Sequence, residues 1–364
     1  MRIDGRDYRT IWLDGDGRRV HVIDQTRLPH RLETRILGAS DEVVSAIADM
    51  IVRGAPLIGV TGAYGLALAI AEDARENAIE AAHAELLAAR PTASNLRWAL
   101  DRVRAAVFAA PPGERRAIAY AQARAIAEED VAACEAIGEH GAALIKEMAA
   151  RKGGRRLNIL THCNAGWLAA VDWGTALAPV YKALRAGVDL HVWVDETRPR
   201  NQGASLTAFE LKGEGAPYTV VTDNSGGHLM QHGLVDMCIV GSDRTTRAGD
   251  VCNKIGTYLK ALAAHDNDVP FYAALPVSTI DWEISDGVKD IPIEQRNAHE
   301  ITHIKGRAAD GAIVEVQLTP DGAPARNDAF DVTPARLVNG IITERGVCAA
   351  SAQGLRALYP DLAQ

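Results

Sequence analysis

Residues 157–166, LNILTHCNAG, join a short apolar run to a polar turn, and a helix-like pattern follows them. The run is typical of a buried strand, and Cys163 and Asn164 come directly after it. A structural cysteine usually lies within an apolar run, whereas Cys163 lies just beyond one, at the point where α/β proteins bind their ligands. The stretch therefore predicts a strand of a parallel sheet with a candidate functional thiol at its carboxyl end.

Apolar runs and helix-like segments alternate through much of the chain after this point. The predicted strands are residues 157–161, 190–194, 218–222, 237–240 and 271–275. The helices predicted between them include residues 174–185, 205–211 and 254–264. Strands that alternate with helices in this way predict a parallel sheet.

The part of the chain before the sheet is rich in alanine and has helix-like apolar spacing. Its predicted helices are residues 41–52, 56–73, 78–89, 95–109 and 115–151, and a short β element is predicted in TIWLD and RVHVID near the start. We place the domain boundary within the long helix. The sequence thus predicts an α/β protein with a mostly helical N-terminal domain, residues 1–135, and a parallel-sheet C-terminal domain, residues 136–364.

Composition argues against several classes of partner and site. The 364 residues carry a formal net charge of −8 and no lysine/arginine stripe, so nucleic acid and anionic membranes are not expected partners. The apolar stretch 56–71 is too short to span a bilayer and carries three glycines, which predicts a buried helix. Five scattered cysteines, without a CxxC pair or a close Cys/His cluster, favour neither disulfides nor zinc and indicate a cytoplasmic protein.

Each of the first four predicted strands ends in a polar pair. The pairs are Cys163–Asn164, Asp195–Glu196, Asp223–Asn224 and Asp243–Arg244. Because the carboxyl ends of parallel strands lie along one edge of a sheet, these side chains are expected at a ligand-binding edge. The alternative is that the chain simply becomes polar where it leaves the core.

Cys163 and Asp243 are the candidate catalytic residues. A thiol acts as a nucleophile or as a general acid/base. Many free cysteines, however, are only small buried hydrophobic residues, and we interpret the other four cysteines in this way. Asp243 follows the buried run CIVG, where desolvation can raise its pKa enough for proton donation; the alternative is a helix cap or a partner for Arg244. His162 is not expected to pair with Cys163, because adjacent residues on a strand point to opposite faces.

Several other polar residues are candidates for binding an anion. VRGAPLIG, residues 52–59, offers Arg53 and free amides at Gly54 and Ala55 before a helix, although an ordinary helix–helix turn is the better explanation of so short a stretch on its own. Asn253 and Lys254 of NKIGT are expected to open a helix in the same way, and Lys254 is either a phosphate ligand or a solvated surface charge. Arg90 and Gln202 are further polar candidates in loops, and no GxGxxG motif or P-loop is present to indicate a nucleotide site.

Segments spread over nearly the whole chain together resemble one known family. They are VRGAPLIGVTGAYGLALA, RPTASNLRWAL, LTHCNAG, GTALAPVY, ETRPRNQGASLTAFEL, VGSDRTTRAGDVCNKIGTY, IPIEQR and DVTPARLVNGIITERG. In this order they are similar to the methylthioribose-1-phosphate isomerase family, which is related to the regulatory subunits of eukaryotic translation initiation factor 2B.

The resemblance implies an aldose–ketose isomerase of methionine salvage that needs no metal or organic cofactor. It also implies a Rossmann-like C-terminal domain, a homodimer, and a catalytic pair formed by Cys163 and Asp243. The implied substrate-binding residues are Arg53, Gly54, Ala55, Arg90, Gln202, Asn253 and Lys254. Trp167 and Trp173 depart from some family members and leave the 5-substituent of the sugar open, so 5-deoxyribose 1-phosphate and ribose 1,5-bisphosphate remain alternative substrates. A non-catalytic regulatory protein is the alternative from another class.

Overall fold

A computed structural model describes residues 1–3, 5–15, 17–90 and 93–362 of the chain. Pro91 and Thr92, which belong to the RPTASNL segment quoted above, lie outside the described residues. The helices in this part of the chain are α1 Ser40–Ala48, α2 Ala55–Glu72, α3 Glu76–Ala89, α4 Ser94–Phe108, α5 Arg115–Arg151, α6 Ala178–Arg185, α7 Ala208–Glu214, α8 Ser225–Gln231, α9 Thr257–Asp266, α10 Gly287–Asp290, α11 His299–Thr302 and α12 Ala352–Leu358.

The strands are numbered along the chain in the same way. They are β1 Arg2–Ile3, β2 Arg6–Asp7, β3 Ile11–Leu13, β4 Val20–Ile23, β5 Thr34–Leu37, β6 Leu157–Thr161, β7 Leu190–Asp195, β8 Tyr218–Val221, β9 Met237–Val240, β10 Arg244–Thr246, β11 Val251–Lys254, β12 Phe271–Ala274, β13 Ile280–Asp281, β14 His303–Arg307, β15 Ile313–Gln317, β16 Phe330–Thr333, β17 Gly340–Thr343 and β18 Gly346–Cys348.

Helix α2 forms the centre of the helical part and packs against α1, α3, α4 and α5. It is apolar on all sides, as a helix surrounded by other helices must be, and nearly every residue of it is buried. By length and composition alone α2 could cross a membrane, but 78% of it is buried within the fold. The sequence-based prediction of a buried helix is therefore confirmed, and the other four predicted helices of this part form within a few residues of their expected ends.

Helix α5 runs without interruption over the 37 residues predicted for it. Its first half contributes Ala119 and Ile126 to the core of the helical part. Its second half contributes Ile137 and Ile145 to a core beneath the large sheet. One helix thus joins both cores, and the boundary predicted near residue 135 falls between these two sets of contacts but stays a prediction.

The large sheet has seven strands in the order β18-β17-β12-β9-β6-β7-β8. All neighbours are parallel except β17 and β18. If the six parallel strands are numbered along the chain, their order is 3-2-1-4-5-6, the doubly wound order in which ligands bind where the winding reverses. That point lies between β6 and β9, and the predicted α/β class with a parallel sheet is confirmed.

Both faces of this sheet are covered, which explains why its strands read as continuous apolar runs. On β6, Leu157 and Ile159 belong to one buried cluster and Leu160 to another. All five strands predicted from such runs form, each within one residue of its expected ends.

A second, four-stranded sheet with the order β13-β10-β11-β16 was not predicted from the sequence. Asn253 and Lys254 lie on β11 of this sheet, so the prediction that they open a helix is wrong. A turn at Ile255 and Gly256 separates them from α9, and Gly256 has a φ of +102° that favours glycine. The hairpin formed by β14 and β15 was not predicted either, whereas the short β element near the start is present as β3–β5.

Candidate active site

A cavity lies at the carboxyl ends of β6 and β9, where the helical part meets the large sheet. All nine residues predicted for the site line it, and they come from six separate stretches of sequence. They are Arg53, Gly54, Ala55, Arg90, Cys163, Gln202, Asp243, Asn253 and Lys254. The fold therefore brings the predicted residues together at the place where doubly wound sheets bind ligands.

The backbone at Cys163 is tightly held. Cys163 has a left-handed φ of +66°, which costs a residue other than glycine about 1–3 kcal/mol. Its N–H donates to Thr197 Oγ1 at 2.8 Å, and its carbonyl oxygen accepts from the Thr207 hydroxyl at 2.7 Å. The thiol is buried, with Sγ 3.5 Å from Gln202 Oε1. The surrounding structure thus fixes a conformation that Cys163 would not adopt on its own.

The environment of Cys163 keeps its thiol protonated. Burial raises the pKa of Cys163 above its ordinary value, and the nearby charges of Arg53 and Lys254 only partly oppose this rise. A neutral thiol carries a proton that it can share, but it is not the strong nucleophile that a thiolate would be. The arrangement therefore favours a role in proton transfer or in stabilising charge over covalent attack.

Asp243 follows β9 and is half-buried. Its N–H donates to the Cys252 carbonyl oxygen at 2.9 Å. Burial raises the pKa of the Asp243 carboxyl above its ordinary value, while Lys254, Arg90 and Arg53 oppose the rise. A carboxyl with a raised pKa holds its proton closer to neutrality, which suits a general acid.

Arg53 is clamped by Asn164 rather than free in solvent. Its guanidinium donates to the Asn164 side-chain oxygen and, at 2.7 Å, to the Asn164 carbonyl oxygen. Its Nε is buried and has no partner within the described parts of the chain. A buried donor without an acceptor is costly, so this group is suited to an incoming anion.

Gly54 allows the start of α2 to approach the sheet. Its φ is +95°, and a Cβ on it would lie 2.5 Å from the Cα and the carbonyl oxygen of Ala169. No other residue fits there without displacing the loop after β6. Helix α2 begins at Ala55, so the positive end of its dipole lies beside the cavity, as in many anion sites.

Two more cations complete the polar lining. Arg90 is buried and donates to Glu294 Oε2 at 3.1 Å, and its Nε also lacks a partner within the described residues. Lys254 Nζ donates to the Ala329 carbonyl oxygen at 3.0 Å and lies 4.7 Å from the centre of the Phe330 ring. Burial lowers the pKa of Lys254, although Cys163 and Asp243 oppose this change.

These charges are not balanced within the cavity. The described lining residues include three cations, Arg53, Arg90 and Lys254, and a single carboxyl, Asp243. Glu294 pairs with Arg90 from outside this lining, which leaves Arg53 and Lys254 against the single carboxyl. Buried charges are stable only when they are paired, so the excess of positive charge favours a bound anion with several oxygens. A phosphate group meets that requirement.

Glu210 supports the site from behind and was not anticipated from the sequence. It is fully buried on α7, and its carboxylate accepts from Asn164 Nδ2 at 2.8 Å, the Trp167 N–H at 2.8 Å and the Tyr181 hydroxyl at 2.7 Å. It therefore orients Asn164, which in turn clamps Arg53. Burial raises the pKa of Glu210, although these hydrogen bonds oppose the rise. The position of Asn164 directly after a predicted strand indicated a functional role. Nothing in the sequence distinguishes Glu210 from any other glutamate of a predicted helix.

His162 does not take part in the cavity. Its Nδ1 lies 2.9 Å from Asp195 Oδ2 and its Nε2 lies 2.8 Å from the Ile255 carbonyl oxygen, so it forms no dyad with Cys163. His162, Asp195 and Asp223 are close enough to one another to hold a metal ion. The ammonium of Lys260, 3.2 Å from Asp195 Oδ2, already supplies positive charge to this group.

Comparisons with known proteins identify the family of the chain. The family model described as the Initiation factor 2 subunit family matches residues 51–350. The chain is 66% identical over 361 residues to the methylthioribose-1-phosphate isomerase of Methylorubrum populi, an alignment that covers 99% of each chain. It is 63% identical over 363 residues to the methylthioribose-1-phosphate isomerase of Paramagnetospirillum magneticum, with full coverage of both.

Solved structures with the same fold carry two different descriptions. The 5-methylthioribose 1-phosphate isomerase of Pyrococcus horikoshii is 37% identical, has a TM-score of 0.81 and aligns with 98% of this chain over 96% of its own. A protein from A. fulgidus described as the delta subunit of translation initiation factor eIF-2B is also 37% identical, with a TM-score of 0.77, and aligns with 97% of this chain over 100% of its own. The fold is therefore shared by isomerases and by proteins described as initiation factor subunits.

Proposed function

The chain belongs to the initiation factor 2 subunit family, and we propose that it is an aldose–ketose isomerase that converts 5-methylthioribose 1-phosphate into 5-methylthioribulose 1-phosphate in methionine salvage. The observation that carries this proposal is the pair formed by Cys163 and Asp243. Both have raised pKa values, and they face one cavity from neighbouring strand ends. Curated relatives that are 60–66% identical over at least 99% of this chain are methylthioribose-1-phosphate isomerases.

The substrate class explains why two such groups are needed. In an aldose 1-phosphate the phosphate blocks the anomeric carbon, so the ring cannot open by the usual hemiacetal route. An acid must therefore assist opening at the ring oxygen, and hydrogen must then move from C2 to C1. Proton transfers through an enediolate-like species or a direct hydride shift would both achieve this. Either route benefits from a group at the C1–C2 edge, a second acid/base across the sugar and a cavity that excludes water.

Asp243 is the proton donor in this scheme, because its raised pKa keeps the carboxyl protonated closer to neutrality than an ordinary aspartate. Cys163 acts at the C2 side, either by exchanging a proton or by stabilising the charge that develops there. Its raised pKa supports this role, since a thiol that stays neutral does not add a second negative charge beside the sugar phosphate.

The phosphate is held by Arg90, Lys254 and the amides of residues 53–55 in this proposal. The unpartnered Nε atoms of Arg53 and Arg90 and the start of α2 support it, because all of them offer hydrogen-bond donors to an anion. Gln202 and Asn253 complete the substrate-binding set as polar groups for the sugar. No step of the proposed reaction requires a metal or an organic cofactor.

The choice of sugar is tested by turnover assays on the purified chain. We expect 5-methylthioribose 1-phosphate to be the best substrate and 5-deoxyribose 1-phosphate to be weaker. Ribose 1,5-bisphosphate should be weakest, because its second phosphate needs further cations. The described lining residues include only three cations, and the proposal uses them for the first phosphate. A higher kcat/KM for either alternative would reassign the substrate.

The same assay decides between an enzyme and a non-catalytic regulatory protein. A regulatory subunit would bind a sugar phosphate without converting it, whereas the isomerase produces a ketose that reducing-sugar chemistry detects. We also propose a homodimer, a cytoplasmic location and a domain boundary near residue 135. Light scattering on the purified chain tests the first of these, and a single monomeric species would contradict it.

A further inference from the structure

Thr197 is a fully buried residue that follows β7 and lies beside Cys163 without lining the cavity. Its φ is +65°, in the left-handed region. A β-branched residue in this region is a genuine outlier, and such outliers are kept mainly where the surrounding structure uses them. Because Thr197 does not line the cavity, contact with a substrate does not explain its unusual backbone conformation. The explanation must lie in the contacts of its side chain.

The Thr197 hydroxyl contacts the backbone of Cys163. It accepts the Cys163 N–H at 2.8 Å and donates to the Asp195 carbonyl oxygen at 3.0 Å. Cys163 is itself in the left-handed region. One hydroxyl therefore links two strained residues at the ends of neighbouring strands, and it is the acceptor for a buried N–H group that would otherwise be unsatisfied.

Thr197 is in turn held by a charged network whose other acidic member, Asp195, is fully buried. The Asp223 carboxylate accepts the N–H of Thr197 and that of the next residue, each at 2.7 Å. Lys260 donates to the Asp223 carbonyl oxygen and pairs with Asp195, which is hydrogen-bonded to His162. The carboxylates that resemble a metal site are thus joined by Lys260 into a frame behind the thiol.

We infer that Thr197 is a positioning residue, whose hydroxyl holds the Cys163 backbone in the conformation that presents Sγ to the cavity. This inference rests on the proposed function for its effect on turnover. If the hydroxyl is removed, the Cys163 N–H loses its acceptor and the backbone can relax toward an ordinary φ. A shift of about 1 Å in a reacting group can cost on the order of 100-fold in rate.

Two substitutions of nearly the same size test this. Thr197→Val keeps the shape and removes the hydroxyl, whereas Thr197→Ser keeps the hydroxyl and removes the methyl group. We expect Val to lower kcat by about 10- to 100-fold with KM changed by less than about threefold, because the phosphate ligands are untouched. Ser should retain a kcat within about threefold of wild type. A Val variant with wild-type kcat, or a Ser variant as slow as Val, would overturn the inference.

A second measurement does not depend on turnover. Alkylation of Cys163 by iodoacetamide is followed by peptide mass spectrometry in the full chain, with the partly exposed Cys348 as the internal reference. The ratio of the two rates should change in the Val variant and stay constant in the Ser variant, and an unchanged ratio in Val would contradict the inference. If wild type fails to convert the sugar while the ratio still changes in Val, the proposed function is wrong and the positioning role stands.

Should the Val variant fail to fold, Asp223→Asn replaces it. This change weakens the acceptor for the Thr197 N–H while leaving the hydroxyl in place. The same loss in kcat and the same change in alkylation ratio are expected. Wild-type values for both in a folded Asp223→Asn protein would count against the inference.

Discussion

Cys163 and Asp243 occupy equivalent places, each just beyond one of two neighbouring parallel strands, yet they are held in different ways. The Cys163 backbone is fixed by its N–H, which donates to the Thr197 hydroxyl, and by its carbonyl oxygen, which accepts from the Thr207 hydroxyl. The Asp243 carboxylate has no ion pair in the described parts of the chain and is surrounded instead by the fields of Lys254, Arg90 and Arg53. The comparison teaches that Cys163 is controlled mainly by backbone geometry and Asp243 mainly by electrostatics. Substitutions at the two strand ends should therefore impair the reaction in different ways.

Removal of the thiol should have the largest effect. We expect Cys163→Ala to abolish turnover while the fold stays intact, because the hydrogen bonds at this strand end involve the Cys163 backbone, which alanine retains. A turnover assay and circular dichroism measure the two halves of this expectation. Cys348→Ala, a thiol removed outside the cavity, is the matched control and should behave as wild type. Near-wild-type turnover in Cys163→Ala would remove Cys163 from the mechanism.

The carboxyl at the other strand end should come next. Asp243→Asn keeps the shape but cannot transfer a proton, and a lost general acid or base typically costs about 100- to 10,000-fold in rate. Substrate affinity should survive, because the proposed phosphate ligands are other residues. Single-turnover rates and affinities are compared with those of Asp189→Asn, an exposed control. A collapse of affinity with a normal rate at saturation would make Asp243 a binding residue.

The dependence of kcat on pH in wild type and in Asp243→Asn tests the electrostatic control of Asp243. Because the pKa of Asp243 is raised, the protonated form persists to higher pH than in an ordinary aspartate, and kcat should fall as pH rises through that pKa. The Asn variant has no such group and should lack this alkaline decline. The decline should be kept in Thr197→Val, since that change alters the geometry at Cys163 and not the field at Asp243.

A cation should affect binding more than chemistry. Arg90→Ala is expected to raise KM by about 10- to 100-fold, the usual value of a hydrogen bond to a charged group, with a smaller fall in kcat. Glu294 remains paired with Arg296 at 2.9 Å, so the substitution leaves no isolated carboxylate. Arg151→Ala, an exposed arginine on α5, is the control. If kcat falls more than KM rises, Arg90 acts on the transition state.

Glu210 should show the smallest effect on rate and a clear effect on stability. In Glu210→Gln the new amide nitrogen faces donors that the carboxylate accepted, which should lower the free energy of unfolding by about 1–3 kcal/mol. Denaturant titration measures this, with the exposed Glu147→Gln as the control. Unchanged stability in Glu210→Gln would mean that the hydrogen bonds of Glu210 to Asn164 and its other partners do not stabilise the fold.

Much of this arrangement could be predicted from the sequence because it follows from periodicity. The apolar runs that end at Cys163 and Asp243 identified two strand ends, and parallel pairing brings such ends together. Lys254 was placed on the wrong element because β11 is short and a glycine turn directly follows it. Glu210 and Thr197 gave no signal, since their importance comes from partners distant in sequence that only the folded chain assembles.

Helix α5 has a consequence for cooperativity. At about 1.5 Å per residue its 37 residues span roughly 55 Å as one rod, with one half packed in each core. Arg53 and Arg90 come from one side of the cavity and Cys163 and Asp243 from the other, so the candidate active site is assembled across parts that share this helix. If either core unfolded, α5 would lose about half of its packing contacts. The helical part and the sheet part of the chain are therefore expected to unfold in a single transition.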